Sequence, residues 1–224
     1  MGAKKSIKQK VSSYPLRKLF WTVFAVLWGG IICIFFLISV GWLGFMPSFE
    51  ELENPKTNLA TEIISEDGYV LGKYFIENRS NVSYKQLPEC LVNALVATED
   101  VRFYKHAGVD TKALFRVTLG VLTGRHKGGG STISQQLAKN LFPRNENPNF
   151  FELVFTKFKE WVVAVKLERN YAKTEIIAMY LNTVDFGNMS HGIKSAAKTY
   201  FDKTPHDLNI QESALLVGML KAPT

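Results

Sequence analysis

"ATEDVRFYKHAGVD", residues 97–110, sets two adjacent acids against basic residues, aromatics, a histidine, a glycine and a third acid. The apolar positions just before it, Leu91, Val92, Leu95 and Val96, recur at helical spacing and predict the buried face of a helix. Glu99 and Asp100 then fall at that helix's C-terminus, where the macrodipole disfavours anions. Carboxylates so placed are either solvated and inert or kept for chemistry, and the stretch alone leaves both readings open.

The chain of 224 residues carries a net charge of +7, but the charge is unevenly spread. Residues 1–18 hold Lys4, Lys5, Lys8, Lys10, Arg17 and Lys18 and no acid, so six of the seven net charges sit in one short tail. A basic surface of the kind that binds nucleic acid is therefore not indicated. The run "LFWTVFAVLWGGIICIFFLISVGWLGFM", residues 19–46, follows with no charge over 28 positions. About 20 apolar residues suffice to cross a bilayer. Trp21 and Trp42 would lie about 32 Å apart along a helix, matching two interfacial aromatic belts. Cations before the run and Glu50, Glu51 and Glu53 after it place the N-terminus in the cytoplasm and the rest outside. A cleaved signal peptide, with its apolar core of about 7–15 residues and small-x-small site, fits poorly. Cys33 lies in the span and Cys90 beyond it, so no disulfide framework supports the exported part.

Residues 1–18 are thus expected to be a cytoplasmic basic tail, 19–46 a transmembrane helix, 47–83 a linker with a β-hairpin turning at Asp67-Gly68, and 84–224 a mostly α-helical domain. Pro88 suits a helix start, and Asp110 caps a helix that Gly124 ends. "RHKGGG", 125–130, is a glycine-rich loop, after which Thr132 and Gln135 are spaced as a capping box. Further helices are expected over 150–169, 174–182 and 191–201, with a last one from Asn209, where Glu212 completes another capping box. In the 110–124 helix Leu114, Phe115, Val117, Leu119, Val121 and Leu122 exceed one stripe. That pattern fits a buried core helix, or one lying partly in a membrane with Lys112 and Arg116 snorkelling.

Glu160 lies in mid-helix with Lys157 one turn before it, an ordinary helix ion pair or a carboxylate and ammonium set in a cleft. Paired carboxylates from separate segments suit glycosyl chemistry. "GGGSTISQQLAKN", 128–140, supplies glycines for close approach and a helix N-terminus for an anion. Ser131, Thr132, Gln135 and Gln136 offer hydrogen bonds to sugar or phosphate oxygens, and Lys139 a cation. No GxxxxGK[ST] loop, G-x-S-x-G elbow or histidine spacing for zinc occurs, which argues against nucleotide hydrolysis, a serine hydrolase and a zinc site.

Together these motifs resemble those of glycosyltransferase family 51, the peptidoglycan glycosyltransferases. "EDVRFYKHAGVD" is similar to ED-x-x-F-x-x-H-x-G-x-D, and "GGSTISQQLAKN" to GGSTITQQ with Ser134 for Thr. "TKFKE" resembles RKxKE with Thr156 for Arg, while "EIIAMYLNTVDFG" and "ESALLVGMLKAPT" resemble the fourth and fifth motifs. The resemblance implies a lysozyme-like helical fold with a small membrane-associated jaw, to which the 110–124 segment would belong. It implies polymerisation of lipid II into β-1,4-linked glycan strands, with release of polyprenyl pyrophosphate, at the outer face of a bacterial cytoplasmic membrane. Glu99 would be the general base, which requires its ionised form, and Asp100 its neighbour at the substrate. Glu160 would position the pyrophosphate or a divalent cation (Mg or Mn). Lys139, Lys157 and Arg144 would stabilise the leaving group, and Ser131, Thr132, Gln135 and Gln136 would line the donor cleft. Phe103, His106, Gly108, Asp110 and Asn182 would fix local structure. Partners would be lipid II, the growing strand, the bilayer and other cell-wall synthesis proteins, with no nucleic acid. Two alternatives are a lysozyme-like muramidase and an inactive membrane-tethered scaffold. Ending inside the fifth motif, the sequence is expected to be a fragment of a class A penicillin-binding protein.

Overall fold

A computed structural model of the chain describes residues 14–42, 61–64, 67, 70–74, 81–124, 129–141, 148–188 and 190–221. Most of the basic tail, residues 43–46 of the expected span, residues 47–60 of the linker, Gly68, the basic part of the glycine loop at 125–128, and Arg144 lie outside them. Two compact units divide the chain, 1–46 and 47–224.

In the first unit, α1 runs from Tyr14 to Ser39. Its apolar span Pro15–Ser39 is long enough to cross a membrane. The helix starts earlier than the uncharged run, because Pro15 falls in the first turn, where a missing N–H costs nothing. It also ends earlier: Gly41 takes φ +83° and the Trp42 N–H bonds back to the Leu37 carbonyl at 3.0 Å, a glycine-terminated helix end.

In the second unit, strands β1 (Thr61–Ile64) and β2 (Val70–Tyr74) pair antiparallel, Thr61 opposite Tyr74. Among the described residues, seven α-helices follow: α2 (Glu89–Glu99), α3 (Thr111–Leu122), α4 (Ile133–Leu141), α5 (Phe150–Asn170), α6 (Lys173–Thr183), α7 (Ile193–Phe201) and α8 (Ile210–Met219). The short α4 is the hub, packing on both α5 and α6. Its Ile133, Leu137 and Ala138 are wholly buried with Val163, Ala164 and Leu167 of α5 and Ile176, Ile177 and Leu181 of α6. A second contact joins α2 to α8, where Leu91, Val92 and Leu95 are buried, as are Leu216 and Val217.

The caps explain why these helices begin where they do. Asp110 Oδ1 accepts the Ala113 N–H at 3.0 Å to start α3, and Gly124, at φ +67°, follows its end. Asn209 and Glu212 form the expected reciprocal box at α8, each side chain accepting the other's backbone N–H at 2.9 Å. At α4 only half a box exists: Thr132 Oγ1 accepts the Gln135 N–H at 3.2 Å, while the Gln135 side chain makes no return bond.

Helix α3 settles its own ambiguity. Phe115, Leu119, Val121 and Leu122 are 45–77% exposed and only Gly120 is buried, so it is not a core helix. Phe150 and Phe151, at the start of α5, are 73% and 84% exposed. Soluble surfaces seldom leave such aromatics in clusters without a binding role.

Candidate active site

Glu99 closes α2, and Asp100 caps it with its N–H on the Val96 carbonyl at 3.1 Å. The two acids part company at that point. Asp100 turns inward: its Oδ2 accepts the Ile133 N–H at 3.2 Å, and His106 Nε2 lies 2.9 Å from the same oxygen. The carboxylate thus leaves the unfavourable end of α2 for the N-terminus of α4, where the dipole favours an anion. Asp100 is a buried tie between two helices at the edge of a cavity that Glu99 also borders.

Thr132 borders the same cavity. It is 2% exposed, donates to the Gly108 carbonyl at 2.6 Å and accepts the Gln135 N–H, so its hydroxyl is committed within the protein. Gly108 sits at φ +93°, and a Cβ there would meet the Ala164 carbonyl carbon and oxygen at 2.7 Å. Only glycine lets this turn lie flat on α5.

Beneath Asp100 lies a polar cluster that the sequence does not announce. Glu168 of α5, its side chain 4% exposed, accepts Ser134 Oγ at 2.5 Å and pairs with Lys173 Nζ at 2.6 Å. Its Oε1 also stands 3.9 Å from His106 Nδ1. Lys173 bonds the His106 carbonyl at 2.8 Å and lies 4.1 Å over the Phe103 ring. Phe103 and His106 are thus held within the protein, with Glu168 and Lys173 as partners that the sequence does not announce. Arg102 is another, paired through both oxygens of Asp110. That hydrogen bond holds the Asp110 carboxyl below the ordinary carboxylate range. Asn182 exchanges two 2.9 Å bonds with the backbone of Val82 and pins the start of the domain to α6.

Glu99, by contrast, is half-buried where two cavities meet. Its Oε2 accepts Gln136 Nε2 at 2.8 Å, and Tyr180 Oη donates to Gln136 Oε1 at 2.9 Å. Glu99 Oε1 is buried with no hydrogen-bond partner among the described residues. Burial, and then the charge of Glu99, push the Tyr180 phenol upward, so it stays protonated.

Two cavities meet at Glu99, Ser131 and Gln136. One, of about 650 Å³, is bordered by Arg102, Lys112, Arg116 and Lys221. The other, of about 450 Å³, is bordered by Gln135, Lys139, Lys157, Glu160 and Tyr180. Lys157 Nζ reaches Glu160 Oε2 at 2.7 Å and Ser131 Oγ at 3.1 Å, so segments 26 positions apart in sequence converge. The Glu160 side chain is 5% exposed beside that ammonium. Gln135 is 1% exposed, and neither its amide oxygen nor its nitrogen has a hydrogen-bond partner among the described residues. Such a group costs about 1–3 kcal/mol unless a ligand or water meets it. The second cavity thus gathers Glu160, Lys157, Lys139, Gln135 and Gln136 around Glu99, while Arg144 lies outside the described residues.

Residues 67–224 match the family model described as Transglycosylase. The chain belongs to the transglycosylase family. It is 36% identical over 217 residues to penicillin-binding protein 1A of Neisseria meningitidis, covering 93% of this chain and 26% of that protein. To penicillin-binding protein 1A of Aquifex aeolicus it is 38% identical over 202 residues, 87% of this chain and 27% of the relative. To penicillin-binding protein 1F of Bacillus subtilis it is 36% identical over 219 residues, 97% and 29%. The chain spans about a quarter of the length of these curated relatives. In this transglycosylase the first-motif glutamate and the second-motif glutamine form one hydrogen-bonded pair, with both cavities opening onto it.

Proposed function

We propose that this transglycosylase polymerises lipid II into peptidoglycan glycan strands by inverting transfer. The observation that carries the reading is Glu99 at the junction of two cavities, one carboxylate oxygen held by Gln136 and the other without a hydrogen-bond partner among the described residues. A base serving two bound sugars needs that geometry: one oxygen fixed, one aimed at the proton it takes.

In this reading the acceptor sugar lies on the arginine-lined side and the donor beside Glu160. The acceptor's 4-hydroxyl oxygen attacks the donor's anomeric carbon as its proton passes to Glu99 Oε1. The bond from that carbon to the pyrophosphate oxygen breaks with its electron pair, and inversion of the α-linked donor gives a β-1,4 linkage. Lys157 and Lys139 offset the charge growing on the departing pyrophosphate, the kind of electrostatic help that often dominates catalysis. Gln135 and Ser131 offer polar groups to the donor. No step is routed through Mg or Mn. Glu160 is already paired with Lys157, and the described residues hold no cluster of three or more histidine, cysteine or acidic side chains suited to a metal.

Helix α1 would anchor the chain in a bacterial cytoplasmic membrane, N-terminus inside and the cavities outside, supported by the basic tail. The exposed apolar residues of α3 and the start of α5 would form the membrane-associated jaw of a lysozyme-like fold, where a polyprenyl substrate is reached. Incubating the chain with fluorescent lipid II in detergent tests the reading. Growing polymer supports it, shortening of preformed strands identifies a muramidase, and neither product identifies a scaffold.

A further inference from the structure

We infer that Tyr180 is a positioning residue for the base: it locks the amide of Gln136 in the one orientation that presents an N–H to Glu99. The inference rests on Glu99 being the base and concerns a residue that no motif reading singles out for a role.

A glutamine amide fits its site in either of two orientations, with oxygen and nitrogen exchanged. Both ends of Gln136 have partners: Nε2 lies 2.8 Å from Glu99 Oε2, and Oε1 lies 2.9 Å from Tyr180 Oη. A carboxylate can only accept, so the nitrogen must face Glu99. The oxygen must then face Tyr180, whose hydroxyl must donate. The phenol ring is 1% exposed, in the wall of the cavity that holds Glu160, and cannot turn away to water. The acceptor-only carboxylate of Glu99 selects this orientation, since the flipped amide would set a carbonyl oxygen against it, and the Tyr180 hydroxyl, donating to Oε1, holds the selected amide in place. Fixing Oε2 in this way leaves Oε1 of Glu99 as the oxygen that receives the proton. Tyr180 reaches the reacting atoms only through Gln136.

Two consequences separate this role from ordinary packing. Removing the hydroxyl should slow turnover without weakening substrate binding, and it should do nothing further once Gln136 is gone. Steady-state kinetics on lipid II with the full chain in detergent would compare Tyr180→Phe, Gln136→Met and the double variant. Each single change is expected to lower kcat about tenfold, the scale of one lost hydrogen bond, with KM within about twofold. The double variant is expected to match Gln136→Met alone. An unchanged kcat in either single variant, a loss confined to KM, or two losses that multiply would overturn the inference. If Tyr180→Phe does not fold, Gln136→Met still decides, since an unchanged kcat leaves Tyr180 nothing to act through. A readout independent of activity is the side-chain amide of Gln136 in ¹⁵N-labelled protein. Its proton resonances are expected to move toward those of a solvated amide in Tyr180→Phe, and unmoved resonances would overturn the inference. A wild-type chain that makes no polymer would refute Glu99 as the base, whereas the amide resonances would still report whether Tyr180 holds Gln136.

Discussion

Replacing Glu168 with alanine tests whether the first motif's histidine and second acid belong to the scaffold. The carboxylate is buried and takes charge-assisted bonds from Ser134 at 2.5 Å and Lys173 at 2.6 Å. Each bond to a charged group is worth about 1.5–3 kcal/mol. Lys173 keeps the His106 carbonyl and the Phe103 ring, and with 24% of its side chain exposed it can reach water, which offsets part of the loss. Ser134 has no such escape, being wholly buried. The net cost should be about 3–4 kcal/mol, against a total stability of about 5–15 kcal/mol for a domain. A chain of this size loses about 2–4 °C per kcal/mol, so the midpoint should fall by about 10 °C. Thermal unfolding followed by circular dichroism near neutral pH reads this directly. Asp202→Asn is the control, because its partner Lys198 and Asp202 itself are both well exposed and such pairs are worth at most about 1 kcal/mol. Glu168→Ala melting no lower than that control would refute the reasoning, and with it the structural role given to Asp100 and His106.

Asp110 gives a pH signature. Its folded-state carboxyl is held low, chiefly by Arg102, so its stabilisation is fully present above the unfolded value of about 4 and fades as pH falls through the folded value. Asp110→Asn should cost about 1 kcal/mol at neutral pH, and the gap in melting midpoint should close toward pH 2. A gap constant down to that pH would contradict the pairing. Gly108→Ala should cost at least about 2 kcal/mol in urea unfolding, since its Cβ meets α5 backbone at 2.7 Å and its φ is +93°. A loss under about 0.5 kcal/mol would show that the turn can lift off α5.

Local signals carried most of the fold. Asp110, Gly124 and the Asn209–Glu212 box are short-range chemistry, and the helices they bound lie close to their expected positions. Helix α3 was ambiguous because excess hydrophobicity looks the same whether core or lipid covers it; only exposure of Phe115 and Leu122 separates the two. The site was legible in its residue types but not in its pairings. Glu99 and Asp100 are neighbours in sequence, yet opposite helix ends claim them, and nothing local says which will turn inward. Tyr180 fits the apolar face of α6 as well as any aromatic, so its hydroxyl draws no attention until Gln136 is set beside it. Glu168 and Lys173 read as ordinary charges near a helix junction; their burial follows from α5 packing against α4, a contact between segments far apart in the chain.

The most direct measurement is polymer formation from fluorescent lipid II by the wild-type chain and by Glu99→Gln, side by side. Glutamine keeps the shape and the hydrogen-bonding neighbourhood but cannot take a proton, and general bases contribute about 10²–10⁴ in rate. The wild type should build glycan polymer, and the variant should melt within a few degrees of it, by about 2 °C at most, and make none above background. A Glu99→Gln chain that polymerises at the wild-type rate would contradict Glu99 as the base and remove the centre from which both cavities are read.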